Sequence, residues 1–368
     1  MLEELETPAP IVDLDRMERN LDRMAAYATA HGLALRPHIK THKTPWLATE
    51  QLRRGAVGVT CATPREAEVM SEVAPDLLLA YPAVGTAKAR RVAGLPADVR
   101  VTVALDSTRA ANDLAGAARE AGRRVGVLVE CDMGMRRVGV QTPEDAVALV
   151  RHVRTRPELE YAGIAFYPGH IREPVDRQDS ALGELARRLE GTLSALRKAG
   201  LEPRVVSGGS TPTATRTHEI PGVTEMRPGT YIYNDRVTAA IGACTIDDCA
   251  LTVLATVVST AVPGQAVIDA GSKSLGREPM RGTEGDGFGV VLDHPAVPVR
   301  AMSEEHGLLD LSNTNWRPAV GDRVRIVPNH VCIVVHLFDV VHGIRREAVE
   351  TTWPVAARGR AAASAVLG

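Results

Sequence analysis

The feature that most constrains the fold is a regular alternation of short apolar runs with longer amphipathic segments. Apolar runs begin near residues 32, 56, 76, 99, 124, 161, 203 and 223. The segments between them, such as PEDAVALVRHVRT and ALGELARRLEGTLSALRKAG, carry apolar residues at spacings of three and four, which is the helical period. This alternation predicts an α/β fold with a (β/α)8 TIM-like barrel over residues 15–240.

A doubly wound open sheet is the alternative fold, because it also alternates strands with helices. That fold usually has a glycine fingerprint directly after its first strand. Here the first apolar run, GLAL, is followed by RPHIKTHK, which contains no glycine. The barrel is therefore the preferred prediction.

The pattern changes after residue 240. Segments such as CALTVLATVVSTAV and DRVRIVPNHVCIVVHLFDVVHG are rich in β-branched residues and have no long helical period. They predict an antiparallel β domain over residues 241–368. The strand-like APIVDLD near the N-terminus is expected to pair with it, so residues 1–14 are assigned to the same domain.

The composition gives no sign of a nucleic acid or membrane partner. The 368 residues include 43 Lys and Arg against 45 Asp and Glu, and no apolar run is long enough to span a bilayer. The N-terminus lacks the basic and apolar regions of a secretory signal, and the odd number of cysteines suggests reduced thiols. A cytoplasmic location and a small-molecule substrate are the resulting expectations.

In a (β/α)8 barrel the chemistry lies at the C-terminal ends of the strands. The first strand ends at Lys40, which could be a solvated loop charge, a phosphate clamp or a Schiff-base amine. The seventh ends at SGGST, Ser207–Thr211, a small-residue loop that can direct N–H groups and hydroxyls at a phosphate. A phosphate site combined with a lone lysine suggests pyridoxal 5′-phosphate linked to Lys40.

Several motifs resemble the D-threonine aldolase and D-serine dehydratase group of fold-type III pyridoxal phosphate enzymes, which are related to alanine racemase. They are RPHIKTHK, TCATPREAEVM, ECDMGMRRVGV, VSGGSTPT, RPGTYIYND and PNHVC, in the order of the family and over residues 7 to 355. The resemblance implies that Lys40 carries the Schiff base and that Arg137 contacts the phenolate oxygen of the cofactor. Tyr167, at the end of the sixth strand, is counted with the residues that bind the cofactor. The residues implied for the phosphate are Ser207, Gly208, Gly209, Ser210, Thr211, Gly229 and Thr230.

A metal site is the second implication of the resemblance. PNHVC places His330 and Cys332 two residues apart in a strand-like segment, so that both would face one side. From the residues alone, packing is the simpler interpretation. The resemblance implies a divalent metal there, zinc or manganese; aldolases of the group have His-x-Asp and dehydratases His-x-Cys at this position, and a thiolate favours zinc.

The function implied is a lyase on D-3-hydroxy amino acids that uses pyridoxal phosphate and a divalent metal. Retro-aldol cleavage of D-threonine to glycine and acetaldehyde is the first choice, with His170 in YPGH as the candidate base. Dehydration of D-serine to pyruvate and ammonia is the alternative, and a metal-independent amino-acid racemase is the second alternative. The resemblance also implies a homodimer.

Overall fold

The computed structural model describes residues 2–280 and 287–359, and the chain divides into two compact units. The first, here called the β unit, comprises Met1–Arg23, Arg172–Asp176 and Thr230–Ala356. The second, the barrel unit, comprises Met24–Ile171, Arg177–Gly229 and Ala357–Gly368. The chain passes from the β unit to the barrel unit after Arg23 and returns after Gly229, where the sequence analysis set boundaries at 14 and 240; it also crosses at Arg172–Asp176 and after Ala356. Residues 281–286 and 360–368 of the predicted β domain lie outside the described residues.

The strands and helices are numbered along the chain. The strands of the β unit are β1 Ala9–Asp13, β10 Leu251–Ser259, β11 Gln265–Ile268, β12 Gly289–Val291, β13 His294–Met302, β14 Gly307–Asp310, β15 Arg323–Pro328, β16 Val340–Arg345 and β17 Ala348–Pro354. Its short helices are α8 Arg236–Ala240, α9 Ser272–Leu275 and α10 Val331–Leu337. Helix α1, Leu14–Ala30, begins in this unit and ends in the other.

The barrel unit contains all the strands expected from the apolar runs. They are β2 Ala34–Leu35, β3 Val59–Cys61, β4 Asp76–Leu79, β5 Arg100–Leu105, β6 Val125–Glu130, β7 Leu159–Ala165, β8 Val205–Gly208 and β9 Glu225–Met226. The helices between them are α2 Pro45–Arg53, α3 Pro64–Met70, α4 Thr86–Ala93, α5 Thr108–Glu120, α6 Pro143–Arg154 and α7 Asp179–Lys198. These elements confirm the predicted alternation.

The barrel strands form one parallel sheet in the order β2-β9-β8-β7-β6-β5-β4-β3. The two edge strands are joined beyond the end of β2 by a parallel bridge between His38 and Thr60, with a Thr60 N–H to Pro37 O distance of 2.8 Å. This bridge closes the ring of strands. The predicted fold class, a (β/α)8 barrel with an antiparallel β domain, is confirmed.

Hydroxyl caps explain where several of the barrel helices begin. Thr63, Ser107 and Thr142 have extended backbones, and each side chain accepts a hydrogen bond from the N–H three residues later. Proline occupies the first position of α3 and α6, where no N–H is needed. The sequence therefore sets each turn from strand to helix locally.

In the β unit, six strands form a closed antiparallel ring. The order is β11-β14-β13-β12-β15-β10, and β10 also pairs with β11. The sheet continues from β10 through β1 and β16 to β17; β1 is antiparallel to β10 and parallel to β16. The prediction that APIVD pairs with the C-terminal domain is confirmed. None of the described helices is both long and apolar enough to cross a membrane.

The N-terminal end of the barrel holds a larger cavity, about 540 Å³, than the one around Lys40 described below. Its buried cation is already paired, since Arg36 Nε lies 2.7 Å from Glu225 Oε2 and Arg36 Nη1 lies 2.7 Å from Asp76 Oδ1. Ion pairs at this end of a barrel are typical of a structural role. The size of this cavity does not make it the active site.

The close approach of β7 and β8 leads to a stability prediction. A Cβ on Gly163 would lie 1.9 Å from Val205 O, so Gly163→Ala must push the two strands apart. We expect a loss of about 2–4 kcal/mol in the free energy of unfolding, within the range for overpacked or strained sites. The measurement is urea unfolding followed by circular dichroism.

Gly116→Ala is the matched control, because Gly116 lies in α5 and a Cβ added there would meet nothing within 4 Å. It should raise stability by up to about 1 kcal/mol through helix propensity. Equal effects of the two substitutions would contradict the close contact between β7 and β8.

Candidate active site

Lys40 lies in a tight turn directly after the barrel closure. The turn is a 3-10 helix, Ile39–Thr41. His38 caps its N-terminus and accepts a hydrogen bond at Nδ1 from the Lys40 N–H at 3.4 Å. The next lysine, Lys43, has a left-handed backbone (φ 54°) and forms a buried ion pair with Glu66. The two lysines of RPHIKTHK are therefore distinct: Lys43 is structural, and Lys40 is not tied to a carboxylate by any ion pair within the described chain.

A cavity opens around Lys40 at the C-terminal ends of the barrel strands. Its lining includes His38, Lys40, Tyr81, Glu130, Arg137, Tyr167 and Arg227. These residues end or follow several different strands, so the closed barrel brings them together. The cavity unites three of the predicted residues: Lys40, Arg137 and Tyr167.

Tyr167 packs against both predicted cations. Lys40 Nζ lies 5.6 Å from the centre of its ring, and Arg137 Cζ lies 5.1 Å from it. Arg136 does not line the cavity. The turn before it is held by Asp132, whose carboxylate accepts hydrogen bonds from the N–H groups of Gly134 and Arg136. That turn presents the second arginine of the pair, Arg137, to Tyr167.

Arg227 and Glu130 are site residues that the sequence analysis missed. Arg227 is buried, and its Nη2 donates to Phe166 O at 2.6 Å, but its Nε has no hydrogen-bond partner among the described residues. Burial raises the pKa of Glu130, against the effect of the charges on Arg227 and Arg137. Burying an N–H without an acceptor costs free energy, so the buried Nε–H of Arg227 indicates that a ligand supplies an acceptor beside it. The sequence signal for Arg227 is its place as the first residue of RPGTY. In that motif the sequence analysis assigned a role only to Gly229 and Thr230.

The two histidines that flank Lys40 are both neutral. Burial, reinforced by the cations Lys40 and Arg227, holds the pKa of His38 well below its ordinary value, although the ring keeps some surface towards the cavity. His42 is fully buried, its Nε2 lies 3.2 Å from Gln51 Oε1, and burial lowers its pKa to about 4. His42 is thus a structural histidine, while His38 belongs to the lining of the cavity.

The loop Ser207–Thr211 divides into a structural and an accessible part. Ser207 is fully buried, and its hydroxyl donates to Glu225 Oε1 at 2.7 Å. Both the backbone and the hydroxyl of Ser207 bond within the barrel, and its phosphate role stays a prediction. Gly208 ends β8, and a Cβ there would lie 2.1 Å from the Phe166 ring, so this glycine is required for packing.

The rest of the loop retains the features of an anion site. Gly209 has a left-handed backbone (φ 91°), and its N–H has no hydrogen-bond partner among the described residues. Ser210 and Thr213 form a capping box at the start of the 3-10 helix Thr211–Glu219. Backbone N–H groups at such a start can face a phosphate. The phosphate role of Gly209, Ser210 and Thr211 stays a prediction.

Gly229 brings the end of β9 close to the Lys40 turn. A Cβ on Gly229 would lie 2.9 Å from His38 O and 3.0 Å from Thr41 Oγ1. Any side chain at Gly229 would displace the segment that positions Lys40. The predicted phosphate contact of Gly229 is not tested by these distances, but its close packing against the turn is evident.

His170 does not lie in the Lys40 cavity. It is exposed, and it packs over Gly134, where a Cβ would come within 2.8 Å of His170 Nε2. The cavity lining does not include it. A catalytic base has to reach the reacting atoms, and the role of His170 as that base stays a prediction.

In the β unit, His330 and Cys332 are adjacent but not on a strand. Strand β15 ends at Pro328, His330 precedes α10, and Cys332 lies in the first turn of that helix. This corrects the prediction that alternation along a strand places both side chains on one face. Their contact instead follows from the change of direction at the helix start. Thr230, predicted to bind the phosphate, lies in the same unit with its Oγ1 3.9 Å from Cys332 Sγ.

Asp235 orients His330, and the sequence analysis missed it. Asp235 Oδ2 lies 3.1 Å from His330 Nδ1 and accepts the Val331 N–H at 3.3 Å. The pKa of His330 is raised to about 11. The electrostatic effect of Cys332 is the largest cause, and the hydrogen bond with Asp235 adds to it. The same negative groups would attract a divalent cation in place of the proton, and a carboxylate behind a histidine is common in metal sites. No cluster of three or more metal-ligating side chains occurs in residues 2–280 and 287–359, so the pair would need water or substrate to complete the coordination.

Comparison with known proteins establishes the family. Residues 12–237 match the alanine racemase N-terminal domain, and residues 250–344 match a putative serine dehydratase domain. The chain belongs to the fold-type III family that includes the D-threonine aldolases and D-serine dehydratases. This confirms the resemblance seen in the motifs.

Three known proteins similar to this chain cover nearly all of it. The D-threo-3-hydroxyaspartate dehydratase of Delftia sp. is 35% identical, covering 95% of this chain and 97% of that protein. The crystal structure of the D-threonine aldolase of Filomicrobium marinum is 35% identical with a TM-score of 0.89, covering 97% of each chain. A metal-free structure of a cysteine-to-alanine variant of a D-threo-3-hydroxyaspartate dehydratase is 31% identical with a TM-score of 0.87, covering 98% of this chain and 99% of that one.

These similarities support a lyase acting on D-amino acids, with pyridoxal phosphate as the cofactor. The residues present fit that cofactor. The cavity contains an amine at Lys40 and a buried N–H without an acceptor at Arg227, and Gly209 provides an N–H suited to an anion.

The low pKa of His42 predicts a pH-dependent loss of stability. An unfolded histidine has a pKa of about 6.5, so below that pH the unfolded chain binds a proton that the folded chain does not bind until about pH 4. Stability therefore falls as the pH drops through this window. His42→Gln should reduce the loss between pH 7 and pH 4.5 by about 2 kcal/mol, measured by urea unfolding at both values. An equal loss in both proteins would show that His42 is not the titrating group.

Proposed function

We propose that the protein is a lyase that removes water from D-3-hydroxy amino acids and yields a 2-keto acid and ammonia. The observation that carries this proposal is the position of Lys40 in the cavity, with His170 outside it. Dehydration needs a base for the α-proton, and a cavity lysine can supply it. Retro-aldol cleavage needs a base for the hydroxyl proton, and the histidine expected to act there lacks a place in the cavity.

The residues of the cavity suit an anionic, planar cofactor held by Lys40. Arg227 would donate to the cofactor the Nε–H that has no partner among the described residues, and Lys40 and Arg137 both lie against the ring of Tyr167. Bound pyridoxal phosphate would supply an electron sink for the electron pair left at the substrate α-carbon. The Lys40 amine is the group proposed to accept the α-proton of the substrate.

His330 and Cys332 would hold the divalent metal, with Asp235 fixing the orientation of His330. A divalent metal held by this pair would supply Lewis acidity for the loss of a hydroxyl group. A thiolate and an imidazole favour zinc over manganese. A similar D-threo-3-hydroxyaspartate dehydratase has been solved as a cysteine-to-alanine variant in the metal-free form.

Retro-aldol cleavage of D-threonine is the second candidate, and it is favoured by the similarity to D-threonine aldolase at a TM-score of 0.89. Dehydration is placed first because of the His-x-Cys pair and the location of His170. The two reactions would share the cofactor and the metal. Dehydration removes the α-proton and breaks the Cβ–O bond, whereas retro-aldol cleavage removes the hydroxyl proton and breaks the Cα–Cβ bond.

A product assay distinguishes these reactions. We expect purified holoenzyme incubated with D-threo-3-hydroxyaspartate, D-serine or D-threonine to release keto acid and ammonia in equal amounts, without glycine. Glycine and an aldehyde would support the second candidate instead. Formation of the L-isomer alone would contradict a lyase.

The metal requirement is tested in the same assay. Chelator treatment should stop turnover while the cofactor absorbance near 410–430 nm persists, and added zinc should restore activity. Full turnover by metal-free protein would remove His330 and Cys332 from the proposed mechanism.

Lys40→Ala tests the cofactor link separately from turnover. The variant should lose the visible absorbance of the bound cofactor and more than about 10³-fold of activity. Borohydride reduction of the wild type followed by peptide mapping should place the label on the peptide that contains Lys40.

Lys273→Ala is the matched control. Lys273 lies in the β unit, is exposed, and pairs with Glu305 at 2.6 Å, so it should not be labelled and its removal should leave activity unchanged. Label on Lys273 would overturn the assignment of Lys40.

A further inference from the structure

Asn329, the residue before His330, carries a buried side-chain amide that bonds to three separate segments of the β unit. The residue is 1% exposed. Its Nδ2 donates to Glu278 O and to Gly287 O, both at 2.9 Å. Its Oδ1 accepts a hydrogen bond from Arg236 Nη1 at 3.2 Å. A planar amide offers two donors beside an acceptor, and this one uses all three functions.

The first of these bonds fixes the point where the chain leaves β15. The last backbone pair between β12 and β15 joins Gly289 to Pro328. The amide bond from Asn329 to Gly287 O extends this connection beyond the end of the ladder. His330 is the next residue, so the amide holds the backbone from which the imidazole projects.

The bond with Arg236 reaches the residue that orients His330. Asp235 caps α8, because its Oδ1 accepts the Thr238 N–H at 2.9 Å, and its Oδ2 contacts His330. Arg236 is the first residue of that helix and directly follows Asp235. Each partner of the Asp235–His330 contact therefore has a chain neighbour in the hydrogen bond between Arg236 and Asn329.

The bond with Glu278 supports the helix that carries Cys332. Gly276 ends α9, and a Cβ there would lie 2.5 Å from Ile333 Cγ2, so the chain after α9 packs closely against α10. Cys332 precedes Ile333 in the first turn of α10. Glu278, two residues beyond Gly276, is held by the amide of Asn329. The same side chain thus braces the surroundings of both members of the metal pair.

We infer that Asn329 is a positioning residue that holds His330 against Asp235 and thereby sets the affinity of His330 and Cys332 for a divalent cation. The hold on His330 rests on the hydrogen bonds of the β unit. The effect on the cation rests on the proposed function. Outer-shell residues of this kind fix the direction in which a histidine presents its ring to a metal.

Asn329→Asp separates positioning from charge. The carboxylate keeps the shape of the side chain and can still accept from Arg236, but it has no N–H for the two carbonyl oxygens. Buried carbonyl groups without donors cost free energy, so the end of β15 relaxes. The added negative charge alone would strengthen the binding of a cation. A loss of affinity is therefore the result that lost positioning predicts.

Asn20→Asp is the matched control. Asn20 is 2% exposed; its Nδ2 donates to Ile232 O at 3.3 Å and Asp248 O at 2.8 Å, and its Oδ1 accepts from Arg23 Nη2 at 2.8 Å. It thus has the same kinds of partner as Asn329, but none of them adjoins His330 in the chain. This substitution should lower the urea midpoint as Asn329→Asp does and leave cation binding unchanged.

Two measurements on metal-stripped holoenzyme test the inference. Calorimetry with zinc chloride measures the affinity of the cation site, and hydrogen exchange at the Val331 amide reports its bond to Asp235 Oδ2 without any metal. Asn329→Asp should bind zinc about 10–100-fold more weakly than wild type and exchange faster at Val331. Asn20→Asp should match wild type in both. Asn329→Ala, which adds no charge, serves if the aspartate variant folds poorly, and it should show the same two changes.

Zinc affinity that is unchanged in the Asn329 variants, or weakened equally by Asn20→Asp, would contradict the inference. Wild type that binds no zinc would instead refute the proposed metal site. In that case the exchange at Val331 still decides whether Asn329 holds His330 against Asp235: faster exchange in the Asn329 variants alone supports it, and equal exchange in all four proteins rejects it.

Discussion

The backbone hydrogen bonds on either side of the Lys40 turn are the interaction on which the candidate site depends. The Thr60 N–H donates to Pro37 O at 2.8 Å on one side, and the His38 N–H donates to Pro228 O at 3.0 Å on the other. The turn is thus bonded to both of its neighbours in the barrel. A lysine on a free loop would sample many positions. Lys40 instead belongs to a segment that the sheet holds in place, as a catalytic group requires.

Charge is the second organising factor of the barrel cavity. Lys40, Arg137 and Arg227 approach it, while Glu130 has a raised pKa and His38 is neutral. These cations exceed what Glu130 can neutralise, so the cavity favours an anion. Cations held close together by a rigid sheet are preorganised for such a ligand, and little reorganisation is needed when it binds.

The barrel could be predicted from the sequence because its signals are local. Apolar runs, hydroxyl caps such as Thr63 and the lysine after the first strand can each be recognised within a few residues. The metal pair was harder, because VCIVVHL is β-branched and apolar yet forms α10, where tertiary packing overrides the preference for a strand. Asp235 was missed because its contact with His330 spans 95 residues, although its capping pattern with Thr238 was visible in the sequence. Ser207 and His170 could be placed only by knowing which way each side chain points.

The position of β1 has a consequence for synthesis on the ribosome. This N-terminal strand lies inside the large sheet between β10 and β16, and Ile11 pairs with His342. Its neighbours are among the last segments of the chain to be made, whereas the strands of the barrel pair with partners that are mostly close in sequence. The barrel can therefore fold co-translationally while Ala9–Asp13 still lacks its partners. Until Leu251–Ser259 emerges, this apolar strand near the N-terminus is unpaired on both edges, and its second edge stays unpaired until Val340–Arg345 follows, which makes nascent chains a target for chaperones.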